Sequence, residues 1–384
     1  MAARPVVDAH SHFTPRAVIS RLQQSPGLFP HIALRDLGAE KFSFVFPDIP
    51  PTRPMQPRLW DLPAAVEWLD RQGIDVHITG AWADVFGYTL PADEAAAWCR
   101  LINEETLAEL NGGQRVLPLA SVPIQSGRHA VQELQAAHTM GFRGLTIGTF
   151  APGVDLDHPD LDGLWETAAR LRTPIFLHPL YLYGEPRPAS YDLPNAIGRV
   201  NDTAIAVSRL LYAGALIRHP DLQMIVAHGG GGVPYALGRL TRNYALNPDA
   251  LADPREGFRQ LYFDSLVYDP APLRYLVELA GADRVMLGSD YPFPILDPAP
   301  LEVVRNADFS DETTEAILSG NACRVFNLTT SASDPPSPSG SSSFAMEPRS
   351  GGEAHYHRRF HGVPSGGNTV TRNGAAQRRR GATR

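Results

Sequence analysis

Short apolar runs alternate with longer helical patterns along most of the chain. The runs are rich in β-branched residues and only a few residues long, which is typical of buried strands. The segments between them place apolar residues at three- and four-residue spacing, as in 93–111 and 202–219, and so predict amphipathic helices. Eight strands are expected, near residues 5–10, 75–82, 116–123, 142–150, 174–179, 223–230, 260–266 and 284–292.

Strand–helix alternation repeated eight times predicts an α/β fold, a (β/α)8 TIM barrel of parallel strands with right-handed crossovers. We expect the barrel to occupy residues 1–328. The Pro-rich stretch 13–60 interrupts the alternation, because the next helix begins only near Leu62. Such an insertion after the first strand lies at the catalytic rim of a barrel, where it could form a small lid.

Residues 329–384 have a different composition from the rest of the chain. They are rich in Ser, Pro and Gly and carry eight arginines and three acidic residues, a net charge of +5 within a chain of net charge −7. They lack apolar periodicity, so we expect a disordered tail. With few aromatic side chains to stack on bases, the tail is not expected to contact nucleic acid.

Composition points to one large enzyme domain in a reducing compartment. The chain has 384 residues, of which 43% are hydrophobic and 20% charged, enough for a substantial core. No apolar stretch approaches the roughly 18 residues of a membrane span, and the short polar start does not resemble a secretory signal. With Cys99 and Cys323 as the only cysteines, no disulfide framework is implied. We therefore expect a cytoplasmic location and no membrane association.

Metal-binding side chains follow several of the predicted strands. His10 and His12 are two residues apart in a strand and can face one ion, and His178 and Asp290 follow buried apolar runs. Because the carboxyl ends of barrel strands meet at one rim, these side chains should converge. Three nitrogens and one oxygen, with room for a water, describe a catalytic zinc site rather than a closed structural one, and Mn²⁺ is the alternative metal.

His228 precedes four glycines, which let a ligand approach the backbone closely. We interpret it as a proton donor and acceptor beside the metal. In the alternative, His228 is the ligand and His178 is not. Lys41 is the chain's one lysine and lies ahead of the second strand. No lysine is therefore available at a strand end to bridge two ions, which favours a site for one metal.

From VVDAHSH to NACRVFNL the chain resembles the amidohydrolase superfamily, specifically its aminocarboxymuconate-semialdehyde decarboxylase branch. The matching stretches span nearly all of residues 5–328 and include DAHSH, LPLASVPIQ, FLHP, AHGGGGVPYALGR, YFDSLVYDP and LGSDYPFP. The resemblance implies that His10, His12, His178 and Asp290 hold one zinc ion. It further implies catalytic roles for His228, in proton transfer, and for Asp290.

The same resemblance implies the groups that bind substrate. Arg53, ahead of a Trp-Asp pair, and Arg239, in the stretch AHGGGGVPYALGR, would clamp the carboxylates of a small-molecule substrate. Arg58 is a less favoured choice than Arg53. The family arginine matching Arg239 reaches the active site of a neighbouring subunit, which implies a homodimer. Phe293 would line the pocket.

One departure concerns substrate recognition. The decarboxylase branch carries a Trp-Asp pair after the His-Pro dipeptide, where this chain has Leu180 and Tyr181. We expect zinc-dependent, non-oxidative decarboxylation of a conjugated or aromatic carboxylic acid. The departure at Leu180 and Tyr181 leaves the identity of that acid open. The alternative is a metal-dependent hydrolase of an ester, lactone or amide on the same barrel. A third hypothesis is an inactive barrel that serves as a binding module.

Overall fold

In the computed structural model the described residues are 4–180 and 190–328, and all of them belong to one compact unit, Met1–Ser333. Each predicted strand has a counterpart, and each is parallel to its neighbours. The barrel strands are β1 (Val7–His12), β4 (Val76–Gly80), β5 (Val116–Pro118), β6 (Ala120–Ser121), β7 (Leu145–Gly148), β10 (Ile175–His178), β11 (Met224–Val226), β12 (Tyr262–Asp264) and β13 (Val285–Met286).

Backbone hydrogen bonds close these strands into a barrel. Ladders run β1–β4–β5 and β6–β7–β10–β11–β12–β13, and β5 and β6 form one strand interrupted at Leu119. The first strand also bonds the segment that directly follows β13: Ala9 N donates to Leu287 O at 2.8 Å and His12 N to Tyr291 O at 2.7 Å. The predicted TIM barrel is confirmed. The structural relatives described below have the same fold.

Helices follow the strands and cover the outside of the barrel. Asp61 caps the first helix after the insertion by accepting from Ala64 N, and Gly73 ends that helix in a left-handed conformation. The longer helices are α2 (Leu62–Gln72), α3 (Ala92–Leu110), α4 (Gly127–Met140), α5 (Asp162–Leu171), α6 (Arg199–Tyr212), α8 (Val233–Leu246) and α10 (Pro270–Ala280). The shorter ones are α1 (Arg16–Gln24), α7 (Ala215–Arg218), α9 (Pro254–Phe258), α11 (Pro300–Arg305), α12 (Asp311–Glu315) and α13 (Asn321–Val325).

Two elements differ from the sequence pattern. The apolar periodicity over 202–219 reads as one helix, but Gly214 has φ 69° and divides it into α6 and α7. The strands before His228 and Asp290 are shorter than predicted, since β11 ends at Val226 and β13 at Met286. Both side chains are therefore presented by tight backbone turns after the strands, which periodicity cannot reveal.

The 13–60 insertion is a packed layer rather than a loose loop. It contains α1 and an antiparallel hairpin of β2 (Ala33–Asp36) and β3 (Phe42–Val45). Phe44 and Met55 are fully buried within the main hydrophobic core. This packing fixes the segment that carries Arg53 beside the mouth of the barrel. The remaining small strands are β8 (Phe150–Ala151) and β9 (Val154–Asp155).

The expected tail, residues 329–384, lies outside the described residues, as does Tyr181. Among the helices of the described ranges, none combines the length and the apolar character needed to cross a bilayer.

Candidate metal centre and active site

Four buried side chains from three parts of the chain meet at the carboxyl end of the barrel. One potential ligand atom from each of His10, His12, His178 and Asp290 lies within 4.8 Å of the others. His12 Nε2 is 3.1 Å from Asp290 Oδ1 and 3.2 Å from His10 Nε2, and His10 Nε2 is 3.5 Å from Asp290 Oδ1. These are the four residues that the sequence pattern selects.

The spacing of these atoms suits one divalent ion. Four ligands bonded tetrahedrally at about 2.0–2.1 Å lie roughly 3.3–3.4 Å from each other, and the three distances above bracket that value. The donor set contains no cysteine, unlike that of the usual structural zinc sites, and a water or substrate atom would bind as a fifth ligand. The residues present therefore fit the metal that the family implies.

The pKa shifts of His178 and Asp290 favour metal binding. Burial, reinforced by the neighbouring His12 and His10, holds the pKa of His178 well below its usual range, so its ring is neutral. Burial raises the pKa of Asp290, but the adjoining imidazoles of His12 and His228 outweigh it and hold the carboxyl pKa well below its ordinary value. A neutral imidazole and an ionised carboxylate are the forms that coordinate a cation.

Asp264 orients His10 and was missed by sequence reasoning. Its Oδ2 lies 2.7 Å from His10 Nδ1, and both groups are buried. The contact makes Nδ1 the protonated nitrogen and turns the lone pair of Nε2 towards the other ligands. Asp264 also accepts from the backbone N–H groups of His228 and Gly229, at 2.9 and 2.7 Å. A buried carboxylate at the end of β12 was the available signal.

His228 lies beside the four-residue cluster. Its Nε2 is 3.8 Å from Asp290 Oδ2, and its ring is not part of the group whose atoms approach within 4.8 Å. The residue has φ 57°, a backbone conformation that is costly for any residue other than glycine. The hydrogen bond from its N–H to Asp264 stabilises that conformation here. The geometry thus associates His178 with the cluster and sets His228 next to it.

A similar strained turn presents Asp290. The residue has φ 63°, and its N–H donates to His10 O at 2.9 Å, which ties the turn to β1. Asp8 holds the preceding residue by accepting from both the N–H and the hydroxyl of Ser289. Gly288 makes the close approach possible, since a Cβ there would lie 2.8 Å from that of Asp264 and 3.1 Å from that of His10.

A cavity of about 430 Å³ opens next to these ligands. His178, His228 and Asp290 line its floor, and Arg53 and Phe293 are in its wall; the remaining lining residues are Trp82, Asp192, Asn195, Arg199, Pro294 and Ile295. Such a volume, part aromatic and part charged, is within the usual range for small-molecule sites.

Of the residues predicted to bind substrate, Arg53 and Phe293 line the cavity and Arg239 does not. The Arg53 guanidinium forms a two-pronged ion pair with Asp84, at 3.0 and 2.9 Å, and lies over the rings of Trp82 and Phe293. Arg239 is exposed on α8 and does not line the cavity of its own chain. Arg58, the less favoured choice, is exposed and also lies outside the cavity lining. Arg199 does line the cavity, and sequence reasoning had not selected it.

Comparison with known proteins agrees with this geometry. A family model described as Amidohydrolase matches residues 7–328. The chain belongs to the amidohydrolase family. It is 31% identical to the 2-amino-3-carboxymuconate-6-semialdehyde decarboxylase of Dictyostelium discoideum, over 72% of this chain and 79% of that protein. The resemblance inferred from the sequence is therefore confirmed.

Two further members of the amidohydrolase family extend the comparison. The gamma-resorcylate decarboxylase of Rhizobium radiobacter is 26% identical, over 80% of this chain and 99% of its own. The crystal structure of Metarhizium anisopliae IDCase in its apo form superposes with a TM-score of 0.69 at 25% identity, covering 84% of this chain and 97% of that one. The named activities of the curated relatives above are decarboxylations.

Proposed function

We propose that this amidohydrolase-family chain is a metal-dependent, non-oxidative decarboxylase of a conjugated or aromatic carboxylic acid. The observation that carries the proposal is a cavity lined by His178 and Asp290 of the four-residue cluster, by His228 and by Arg53. Relatives named as decarboxylases of such acids support it. Because Leu180 and Tyr181 replace the Trp-Asp pair of the decarboxylase branch, the physiological substrate would differ from aminocarboxymuconate semialdehyde.

The four-residue cluster would hold one zinc ion, with manganese as the alternative. A divalent ion bound there supplies Lewis acidity, which withdraws electron density from a substrate oxygen. The three imidazoles and the carboxylate would fix its position, and Asp264 would hold His10 in the coordinating tautomer.

The chain's own groups account for binding and proton transfer. Arg53 would form paired hydrogen bonds with a substrate carboxylate, and the Phe293 ring would pack against the conjugated system. His228 would deliver a proton to the carbon that bears the leaving carboxylate. Cleavage of the bond between that carbon and the carboxylate then releases carbon dioxide and returns the electron pair to the conjugated system. No redox cofactor is required, because the substrate serves as its own electron sink.

We further propose a homodimer in which Arg239 enters the site of the partner subunit. Its exposed position on α8, outside the cavity of its own chain, is compatible with that role. The cytoplasmic location stays a prediction. It is consistent with Cys99 and Cys323, which are buried free thiols in the structure.

The deciding experiment measures carbon dioxide release by metal-loaded protein across a panel of conjugated and aromatic acids. We expect release from at least one acid, and we expect chelation to abolish it. Zinc and manganese would be distinguished by the metal content of purified protein and by reconstitution with each ion. If no acid in the panel releases carbon dioxide and lactones or amides are hydrolysed in parallel assays, the protein is a hydrolase instead.

Asp290→Ala provides the matching negative control. Loss of the carboxylate removes one ligand and a neighbour of His228, so turnover should fall by at least about 10³-fold. Circular dichroism should show a folded barrel. Full activity of this variant would contradict the proposed site.

A further inference from the structure

Tyr268 connects the loop after β12 to the wall of the candidate active site. It lies between β12 and α10, and its hydroxyl donates to the carbonyl oxygen of Ile295 at 2.9 Å. Ile295 forms one side of the cavity together with Phe293 and Pro294. Tyr268 is not itself a lining residue of this cavity, so any effect that it has on a bound molecule must pass through the wall.

The wall segment, residues 293–295, has few hydrogen bonds of its own. Phe293 N donates to Asp290 O at 3.1 Å and Leu296 N donates to Phe293 O at 3.0 Å, both within the same turn. Pro294 has no N–H group to donate. Within residues 4–180 and 190–328, the bond from Tyr268 is the one hydrogen bond that reaches this segment from a different loop. That bond therefore ties the wall to the rest of the barrel rim.

The Tyr268 side chain is held in place for this contact. Its backbone has φ 62°, a conformation that is costly for any residue other than glycine and that persists where the surrounding structure imposes it. The next residue, Asp269, caps α10 by accepting from Ala271 N at 2.7 Å, which fixes one end of the turn. Partial burial, reinforced by nearby carboxylates, raises the pKa of the Tyr268 hydroxyl. The hydroxyl thus keeps the proton that it donates to Ile295.

The position of the wall segment determines where the Phe293 ring lies. The centroid of that ring is 4.8 Å from the ring centroid of His12, one of the four clustered residues. On its other side the Arg53 guanidinium carbon lies 5.9 Å from the same centroid. A small displacement of segment 293–295 would therefore change the width of the cavity between the predicted metal ligands and Arg53.

We propose that Tyr268 is a positioning residue whose hydroxyl holds segment 293–295 so that the Phe293 ring packs against the substrate. This inference rests on the proposed function and adds a residue outside the cavity that governs substrate affinity. Among the described residues the Tyr268 hydroxyl bonds Ile295 and none of the residues assigned to metal binding or proton transfer. Tyr268 accordingly affects substrate binding and leaves the chemical step unchanged.

The test compares full-length, metal-loaded Tyr268→Phe with the wild-type protein. With the acid that gives the fastest carbon dioxide release, we expect KM to rise about 3- to 10-fold, as for the loss of one hydrogen bond, while kcat and metal content stay the same. Hydrogen exchange at the Leu296 N–H, measured without substrate, should accelerate by a similar factor of about 3 to 10, because the turn opens more often.

Tyr275→Phe is the matched control. The Tyr275 hydroxyl also donates to a backbone carbonyl, that of Pro234, at 3.1 Å, and the two tyrosines are equally exposed, at 45% and 46%. Neither Tyr275 nor Pro234 lines the cavity. This variant should keep the wild-type KM and the wild-type exchange rate at Leu296.

An unchanged KM or an unchanged Leu296 exchange rate in folded Tyr268→Phe would overturn the inference. So would equal changes in the two variants, or a fall in kcat or bound metal at constant KM. If the wild-type protein releases no carbon dioxide, the proposed function fails. The exchange rate of Leu296, which needs no substrate, then decides whether Tyr268 positions the wall.

Discussion

His10 and Asp264 are 254 positions apart in the chain, yet the His10 Nδ1 and Asp264 Oδ2 atoms lie 2.7 Å from each other in the barrel interior. The same carboxylate accepts from the backbone of His228 and Gly229. One buried side chain thus orients a predicted metal ligand and holds the turn that presents the predicted proton-transfer residue. Asp264 therefore contacts both the predicted metal cluster and the turn that carries His228.

Asp264→Asn should weaken metal binding. The amide can turn its NH₂ towards His10 Nδ1 and favour the wrong tautomer, and partners of this kind typically contribute 10- to 100-fold in metal affinity. Competition against a chromogenic chelator would measure the change. Asp202→Asn is a matched control, because that carboxylate is equally buried but bonds Thr149 rather than a predicted ligand. An unaltered affinity in folded Asp264→Asn would show that this contact does not orient His10.

Gly288→Ala should disturb the same region by steric contact. Its Cβ would approach that of Asp264 to 2.8 Å, so β12 or β1 must shift at a cost of roughly 1–3 kcal/mol in stability. The thermal unfolding temperature and the metal content of the purified protein should both fall. Gly163→Ala on α5 is the control, since its nearest neighbour would be Val131 Cγ2 at 3.8 Å. Equal behaviour of the two variants would refute the packing argument.

Asp202 should make stability depend on pH. Burial raises its pKa from 3.8 to about 7, so between those values the native state binds more protons than the unfolded state. The free energy of unfolding contributed by this group therefore falls as pH rises through that interval. Asp202→Asn should be more stable than wild type at about pH 8, by on the order of 2–4 kcal/mol, and similar to it near pH 4.

Thermal unfolding of each variant between about pH 4 and pH 8 measures this effect. Asp162→Asn is the control, because its effect on stability should depend on pH in the opposite direction. The adjoining His219 and Arg218 lower the pKa of Asp162, so its contribution is present at neutral pH and lost as pH falls through the lowered pKa. This variant should be slightly less stable than wild type at neutral pH. A constant difference between Asp202→Asn and wild type at every pH would contradict the prediction for Asp202.

Arg239→Ala should raise KM about 10-fold or more if the guanidinium binds substrate carboxylate in a partner's site. Arg242→Ala, an exposed neighbour on α8, should leave KM unchanged. Mixing Arg239→Ala with Asp290→Ala chains should restore up to about a quarter of the wild-type activity, because half of randomly formed dimers contain one intact composite site. No restoration, with exchange of subunits demonstrated, would place Arg239 outside the partner's site.

The fold was predictable from local pattern because each buried strand of a parallel barrel is a short apolar run, and each crossover is an amphipathic helix. The four clustered side chains were predictable for a related reason. His10, His12, His178 and Asp290 follow such runs, and the topology brings strand ends to one rim. The sequence pattern did not reveal where β11 and β13 stop, because the turns at His228 and Asp290 depend on bonds to distant residues.

By itself the sequence determined the barrel, the family and the four residues of the predicted metal site. Only the tertiary structure decided which groups support them. Asp264 and Asp84 are ordinary charged residues in the chain, and their contacts with His10 and Arg53 depend on distances that local periodicity does not encode. Burial then gives those charges their importance, because removing water strengthens each contact and makes an unmatched charge costly.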